Sequence, residues 1–327
     1  MMQDTESLPA ISIIVEWDNA MHIEPGRIRN TLVSLREQLI ELKNRFSVNP
    51  ELLFVFDQMM ISENDLVDIV KEGFDRDFDA ASVEYVPAEG LRYYELKNLG
   101  AEKCSNDILV FLDSDVVPVS GWLHHLLMPF RDKSVRVVAG QCNFEQNSLV
   151  AKTFAMFWYF HLPDENIDIT ETRVLYANNF AIYRDLFESI RFPESSYFRG
   201  QCVAFSEHLR RRGETIYLAG KAAIVHPAPE RPAYFFSRAL CEGHDYQLKD
   251  WQHIGKGIAP KTFRKWRYGQ SLKLAARSIM RKYREVGLSP AGAVAAMMIA
   301  TVYITFVAAG KLITRYHPDF IPRHFAI

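Results

Sequence analysis

The chain has 327 residues, 48% of them hydrophobic, with 38 basic and 40 acidic side chains and a net charge of −2. That length suits one large domain with an extension, or two modest domains, and the charge balance argues against a dedicated nucleic-acid binder. The four cysteines, Cys104, Cys142, Cys202 and Cys241, share no C-x-x-C spacing, which excludes a disulfide scaffold or zinc site and reads as free thiols in a reducing compartment.

The polar start, Met1 to Pro9, carries no signal-peptide pattern. Ile11 to Val15 is an apolar, β-branched run that predicts a buried strand. From Arg27 to Phe46 the apolar positions Ile28, Leu32, Leu35, Leu39, Leu42 and Phe46 recur in steps of three and four, the face of an amphipathic helix. Strands follow at Leu52–Phe56, Ser82–Val86 and Ile108–Leu112, with helices at Asp65–Gly73 and Leu91–Cys104 between them. This alternation predicts βαβ units and a mostly parallel sheet. Further on, the pattern predicts a strand at Val135–Ala139 and helices at Ser148–Phe160, Ala181–Ile190 and Ala204–Arg212. Short strands at Thr215–Leu218 and Ala222–Val225 precede a helix over Ala233–Lys249.

Ligands of open α/β sheets bind beyond the carboxyl ends of the strands. Glu16, Asp57 and Asp113 fall at those ends. Asp113-Ser114-Asp115 carries two carboxylates at positions i and i+2, which point the same way in an extended backbone. Two hard oxygen donors suit Mg²⁺ or Mn²⁺, and such an ion stabilises a departing diphosphate. A solvated turn after a strand is the other reading of the tripeptide.

The surrounding residues resemble a known family. Lys97-Asn98-Leu99-Gly100-Ala101, followed by Asn106-Asp107-Ile108-Leu109-Val110-Phe111-Leu112-Asp113-Ser114-Asp115, is similar to the R-N-x-G-A and G-D-x-h-h-h-h-D-x-D segments (h apolar) of family 2 glycosyltransferases, whose fold is termed GT-A. Ile11 to Asn19 resembles the opening V-S-V-I-I-P-T-Y-N strand, and Leu53 to Asp57 the second strand with its base-binding aspartate. Asn178 to Arg184 looks like the acceptor-side N-x-A-x-R-R segment, and Gly200 to Gly213 like the G-E-D-x-E-L-x-x-R-L-x-x-x-G helix. The similarity covers roughly residues 10 to 245.

The resemblance implies a GT-A-like α/β fold and a nucleotide-sugar donor bound across the first half of the sheet. Asp57 would contact the base, and Lys97 stands where an arginine near the nucleotide is usual. Glu16, Ser114 and Asn179 join the substrate-binding set. Asp113 and Asp115 would hold the ribose and a metal-bound diphosphate. His226 looks like a downstream histidine that completes the metal site with Asp115; a surface loop histidine is its other reading. The implied activity is divalent-metal-dependent, inverting transfer of a sugar to an acceptor hydroxyl.

Three departures stand out. The family's general-base motif reads Gly200-Gln201-Cys202, with no carboxylate. Glutamine cannot take a proton at neutral pH, and a cysteine can do so only as a thiolate. Cys202 is therefore the catalytic candidate at that position. Three readings remain open: a base from elsewhere (Glu194, Glu207 or His208), an acceptor acidic enough to need none, or a nucleotide-sugar-binding protein with weak or no activity. Glu16-Trp17 replaces Pro-Thr, and Asp57-Gln58-Met59-Met60 replaces D-D-G-S, which leaves the nucleotide base open.

Lys261 to Arg284 carries nine basic residues, and Val286 to Gly310 then carries no charge. A run of that length can cross a bilayer; a buried helix is the other reading. The basic excess before it places the catalytic domain in the cytoplasm. The expected organisation is a catalytic domain over residues 1–250 and a basic, helical, membrane-associated extension over residues 251–327, ending in a transmembrane helix. A glycan or lipid-linked acceptor at a membrane fits that arrangement. Ile108 to Val117 also fits the D-x-D-x-[TV] nucleophile motif of haloacid-dehalogenase-type phosphatases, but that motif normally follows a first strand, and no G-D-x-x-x-D pair lies downstream.

Overall fold

The computed structural model describes residues 9–75, 78–158, 160, 162, 168–193, 198–255 and 266–325. Met1 to Leu8, Glu194, Lys261, Arg264 and Lys265 lie outside the described residues.

The first part of the chain alternates strand and helix: β1 (Ile11–Glu16), α1 (Pro25–Phe46), β2 (Glu51–Asp57), α2 (Glu63–Phe74), β3 (Ser82–Ala88), α3 (Tyr93–Lys103) and β4 (Ile108–Asp113). Each boundary has a local cause. Pro25 opens α1 with its φ preset, and α1 ends where Ser47 turns left-handed at φ 54°. Ser62 caps α2 by accepting the Asp65 N–H at 3.2 Å. The Glu95 carboxylate reaches back to the Arg92 N–H at 2.9 Å at the start of α3.

The chain continues through β5 (Val117–Pro118), α4 (Trp122–Leu127), β6 (Val137–Phe144), α5 (Leu149–Phe157), β7 (Ile169–Thr172), β8 (Asn179–Tyr183), α6 (Arg184–Ile190), α7 (Gln201–Arg211) and β9 (Ile216–His226). Four helices follow: α8 (Pro232–Gly255), α9 (Tyr268–Lys282), α10 (Pro290–Tyr316) and α11 (Phe320–His324).

Among the described residues nine strands form one sheet in the order β3-β2-β1-β4-β8-β6-β9-β5, with β7 beside β9. The pairs β3-β2, β2-β1 and β1-β4 are parallel. Beyond β4 the pairs with β8 and those of β9 with β5 and β7 are antiparallel. The class is the expected α/β sheet with flanking helices, parallel in its first half and mixed overall. Register sets Glu16 directly beside Asp113, so β1 and β4 end together.

Two elements differ from the periodicity reading. The helical pattern over Ala181–Ile190 is divided between β8 and α6. Asn179 pairs with β4, and Phe180 and Ala181 pair with both β4 and β6, on a strand buried up to its last residue, and this pairing overrides local helical spacing. The two short strands expected around residue 220 are one strand, β9, running through Gly220. The weak elements β5, α4 and β7 have no clear sequence signal.

The chain divides into two compact units. Unit 1 is Met1–Cys142, Pro163–Glu194 and Gln201–His226; unit 2 is Asn143–Leu162, Ser195–Gly200 and Pro227–Ile327. The expected boundary at residue 250 falls inside α8, within unit 2. Unit 1 is held by a core of Ile14, Val55, Leu109, Phe111, Phe180, Phe187 and Phe205 between sheet and helices. Unit 2 packs α5, α9 and α10 around Met156, Ile279, Ala296, Ala300 and Ile304.

Gly100 lets α3 lie on the sheet: a Cβ there would come within 2.6 Å of Ile14 Cγ2 and 2.9 Å of Val55 Cγ2. The Gly-Ala pair before β4 is thus a packing requirement. Gly100→Ala is expected to destabilise unit 1 by about 1–3 kcal/mol through overpacking. A urea titration checks this, and an unchanged midpoint would contradict so close an approach.

Candidate active site

The four parallel strands deliver their carboxyl ends to one edge of unit 1. The last residue of β4, Asp113, does not face outward from it. Its Oδ1 accepts the Lys97 ammonium at 2.7 Å, and its Oδ2 accepts the Tyr93 hydroxyl at 2.7 Å and the Asn19 amide at 3.3 Å. Tyr93 and Lys97 are four residues apart on α3, hence on one face, and the ammonium also lies 4.7 Å over the Tyr93 ring. Lys97 is wholly buried and Asp113 is 3% exposed. Lys97 is therefore a buried counter-ion that fixes Asp113.

Glu16 is likewise an organising residue. Its side chain is wholly buried, and it accepts the Asp18 N–H at 2.9 Å, the Asn19 N–H at 3.4 Å and the Asn19 amide at 2.7 Å. These bonds hold the loop after β1. Burial pushes its carboxyl well above the ordinary range; Lys97 opposes this, and Asp113 adds to it. Ser114 accepts the Ala20 N–H at 2.9 Å, so it too ties this loop to the end of β4.

The strand ends at Asp113, and Ser114 and Asp115 form a turn. The rule that i and i+2 share a face therefore does not carry across the tripeptide, and the two carboxylates separate. Asp115 Oδ2 lies 3.8 Å from His226 Nε2. His226 ends β9, whose Val225 pairs with Val117 of β5 just after Asp115; the antiparallel pairing brings the two side chains together. The separation is too long for a hydrogen bond and suits two ligands of one ion. Among the described residues no group of three or more His, Cys, Asp or Glu side chains forms a ready-made metal cage. The donor set is thus one carboxylate and one imidazole, which fits an ion whose other ligands come from a substrate.

Asp57 ends β2 half-buried, with Oδ1 accepting the Met59 N–H at 2.9 Å. Asn179 is placed elsewhere than expected. Its amide donates to the Gln141 and Ala222 carbonyls at 3.0 and 2.9 Å and accepts the Trp122 indole N–H at 2.7 Å, cross-linking β6, β8, β9 and α4. Asn178, one residue earlier, lies in the turn before β8. Its amide donates to Cys142 Sγ at 3.5 Å, and its Oδ1 is buried without a hydrogen-bond partner. Burial holds the Cys142 thiol well above its ordinary value, with Asp113 and Asp115 adding to the effect.

Cys202 is half-buried in the first turn of α7, beside fully buried Gln201. Glu207 and His208 are exposed on the outer side of the same helix, Glu207 in an ion pair with Arg211 at 2.5 Å. In unit 2, Asp245 of α8 accepts the Phe198 and Arg199 N–H groups, both at 2.9 Å, just before Gly200. Burial pushes its carboxyl up to about 6. A cleft of about 370 Å³ in unit 2, walled by Trp158, Tyr246, Trp266 and Tyr303 with Glu242, contains none of the residues expected from sequence.

Sequence reading did not find Asn19, Tyr93, Asn178 or Asp245. Tyr93 had a signal, its i, i+4 spacing to Lys97; Asn178 lay inside the acceptor-side segment identified by resemblance, without a role of its own. Asp245 had none.

The glycosyl transferase family 2 model matches residues 20–191, more than half of the chain. Two curated relatives, the pre-mycofactocin glycosyltransferases of Mycobacterium tuberculosis strains CDC 1551 and H37Rv, are each 49% identical over 43 residues. That match spans 13% of this chain and 9% of each relative. Among solved structures, the mannosyltransferase PcManGT from Pyrobaculum calidifontis, in complex with GDP-Man and Mn²⁺, superposes with a TM-score of 0.59 at 17% identity, covering 96% of this chain and 89% of its own. GalNAc-T7 with UDP, GalNAc and Mn²⁺ aligns with a TM-score of 0.46 at 12% identity over 67% of this chain and 43% of its own. The PcManGT likeness shows the GT-A fold.

Two stability outcomes follow from the buried cluster. Lys97→Met leaves Asp113 buried without its counter-ion and is expected to cost about 3–5 kcal/mol, read by thermal or urea unfolding. For Glu16 the folded carboxyl is raised, so its stabilising contribution is full below the unfolded value and is lost as pH rises through the folded one. Glu16→Gln is therefore expected to be more stable than the parent at pH 8, with the gap closing on acidification. Equal stability at both ends of that range would contradict the assignment.

Proposed function

The chain belongs to glycosyl transferase family 2 and is a glycosyltransferase, and from that premise we propose that it moves a sugar from a nucleotide-sugar donor to an acceptor hydroxyl, with inversion, at a site centred on Asp115 and His226. The observation that carries this reading is their 3.8 Å approach beside an Asp113 already held by Lys97 and Tyr93. Asp115 and His226 would hold a divalent cation, Mn²⁺ or Mg²⁺, together with the donor's diphosphate, and the ion would supply charge neutralisation as the diphosphate leaves. The Mn²⁺ bound with GDP-Man in PcManGT is consistent with that choice.

The chain's own residues do the rest. Asp57 offers its second carboxylate oxygen to the nucleotide base. Glu16, Ser114 and Asn19 hold the loop over the donor edge. Asn178 offers its buried carbonyl oxygen to a sugar or acceptor hydroxyl. In the transfer the acceptor oxygen bonds to the anomeric carbon from one face. The bond to the diphosphate oxygen breaks on the other, its electron pair stays with the diphosphate, and the hydroxyl proton passes to a base. Cys202 stands where the family's base carboxylate is usual. The acceptor is a glycan or lipid-linked molecule at a membrane, a reading supported by the apolar α10. The basic run before α10 suits the anionic surface of a cytoplasmic leaflet, which favours a cytoplasmic catalytic unit.

A second reading, donor binding without transfer, is favoured by one observation: neither Gln201 nor Cys202 is a carboxylate, and Glu207 and His208 face outward. Calorimetry with a panel of nucleoside diphosphates tests the site common to both. Binding is expected to need Mn²⁺, to weaken at least about tenfold in His226→Ala and to vanish in Asp115→Asn. Binding that ignores both substitutions would sink the assignment. Sugar transfer, assayed with the nucleotide so identified, separates the readings. If the parent is a catalyst, Cys202→Ala lowers kcat without weakening donor binding; if it is a binder only, neither protein transfers.

A further inference from the structure

We propose that unit 2 seats the protein in the plane of one leaflet of an anionic membrane, through the outer faces of α9 and α10, and that α10 does not cross the bilayer. The inference rests on the reading of the chain as membrane-associated and goes beyond it in fixing how the association is made.

By length and composition α10 passes as a span. Its two faces argue otherwise. The inner face is Ala293, Ala296, Ala300, Tyr303, Ile304, Val307, Gly310 and Thr314, a stripe in steps of three and four that is wholly buried in unit 2. Its main partner is α8. The two backbones touch: a Cβ on Gly243 would lie 2.1 Å from the Val307 carbonyl oxygen, and one on Gly310 would lie 2.2 Å from that of Leu240. Polar bonds run along the seam. Tyr303 donates to Glu242 at 2.8 Å, Lys311 pairs with Asp250 at 2.7 Å, and Thr314 meets His244 at 3.0 Å. The α8 helix also buries Arg238 and Asp245. A spanning α10 would have to carry this charged helix into hydrocarbon or peel away from it. Peeling would leave Lys311 unpaired inside the span. Both are strongly disfavoured.

The outer face carries Val294, Met298, Val302, Leu312 and Tyr316, between 43% and 67% exposed. Thr301 and Thr305, also exposed there, turn their hydroxyls back to the Met297 and Thr301 carbonyls, both at 2.8 Å. Their polar groups are satisfied within the helix, as an apolar surrounding requires.

Beside it, α9 presents Tyr268, Leu274 and Met280, each at least 40% exposed, interleaved with exposed Arg267, Lys273, Arg277 and Arg281. From Tyr268 to Arg284 there is no Asp or Glu. The Tyr268 hydroxyl meets Thr305 at 3.1 Å, so the two outer faces adjoin. Arg267, Lys273 and Arg277 line one shallow depression. Exposed apolar side chains interleaved with cations, on a helix that carries no Asp or Glu, complement an interface of acyl chains under anionic headgroups. A protein partner of mixed charge is a poorer match.

The test uses the full chain. Flotation is measured with vesicles of phosphatidylcholine alone and of phosphatidylcholine with one-quarter phosphatidylglycerol. Binding is expected to be at least tenfold stronger on the anionic vesicles. It is expected to be lost in Met298→Asp/Val302→Asp and weakened at least tenfold in Arg277→Glu/Arg281→Glu, with melting temperatures unchanged. Topology is read in inverted membrane vesicles from cells. With Cys202 replaced by alanine, Arg323→Cys and Glu89→Cys are labelled separately with an impermeant maleimide. Labelling of both from the same side supports in-plane seating, and labelling from opposite sides overturns it while leaving membrane association intact. No flotation at all overturns the membrane reading as well. Unchanged flotation with a changed oligomeric state in Met298→Asp/Val302→Asp would assign the face to a second copy of the chain and end the proposal.

Discussion

The buried pair of Lys97 and Asp113 is the constraint on which the rest of the site depends. Parallel strands bring Glu16 and Asp113 side by side at the sheet edge, and burial opposes charge on both. One ammonium, placed by α3, meets Asp113 at 2.7 Å, and Tyr93 and Asn19 occupy further lone pairs of the carboxylate. A buried pair of this kind adds little net stability, but losing one partner is costly. Its contribution here is to position the chain. With Asp113 fixed inward, the backbone turns at once, and Asp115 is directed to the end of β9, where His226 stands.

The D-x-D motif therefore divides its labour between structure and chemistry. The first carboxylate is tied into the scaffold, the serine ties down the loop after β1, and the second carboxylate, beside His226, is the one proposed to meet a ligand. The same economy is visible in Asn178 and Asn179, where one amide locks four elements together and its neighbour keeps an oxygen without a partner. In unit 2, polar side chains again do structural work. Glu242, Asp250 and His244 fasten α8 to α10 along a glycine-lined contact, which leaves the opposite face of α10 apolar and outward.

Much of the fold was legible in sequence because its causes are local. Continuous apolar runs gave β1, β2 and β4, and helical spacing gave α1 through Leu32, Leu35, Leu39 and Leu42. The helical reading fails over Ala181 to Tyr183 because a buried strand and a buried helix look alike over so few positions, and pairing with β4 and β6 decides between them. The site was legible in its parts and not in its roles. Strand ends and the D-x-D spacing identified Glu16, Asp113 and Asp115, and the family resemblance identified Lys97 and His226. Which carboxylate turns inward depends on where β4 ends, and that depends on contacts with Tyr93 and Asn19 that lie far apart in the chain. The apolar run that reads as a span could not reveal that one of its faces is covered by α8, because those contacts are also long-range.

The most direct measurement is diffraction from crystals soaked with Mn²⁺ and the nucleoside diphosphate that binds, collected for the anomalous signal of manganese. The expected peak lies between Asp115 and His226, with Asp113 still held by Lys97 and Tyr93. A peak coordinated by Asp113, or none within reach of His226, would contradict the division of roles on which the account rests.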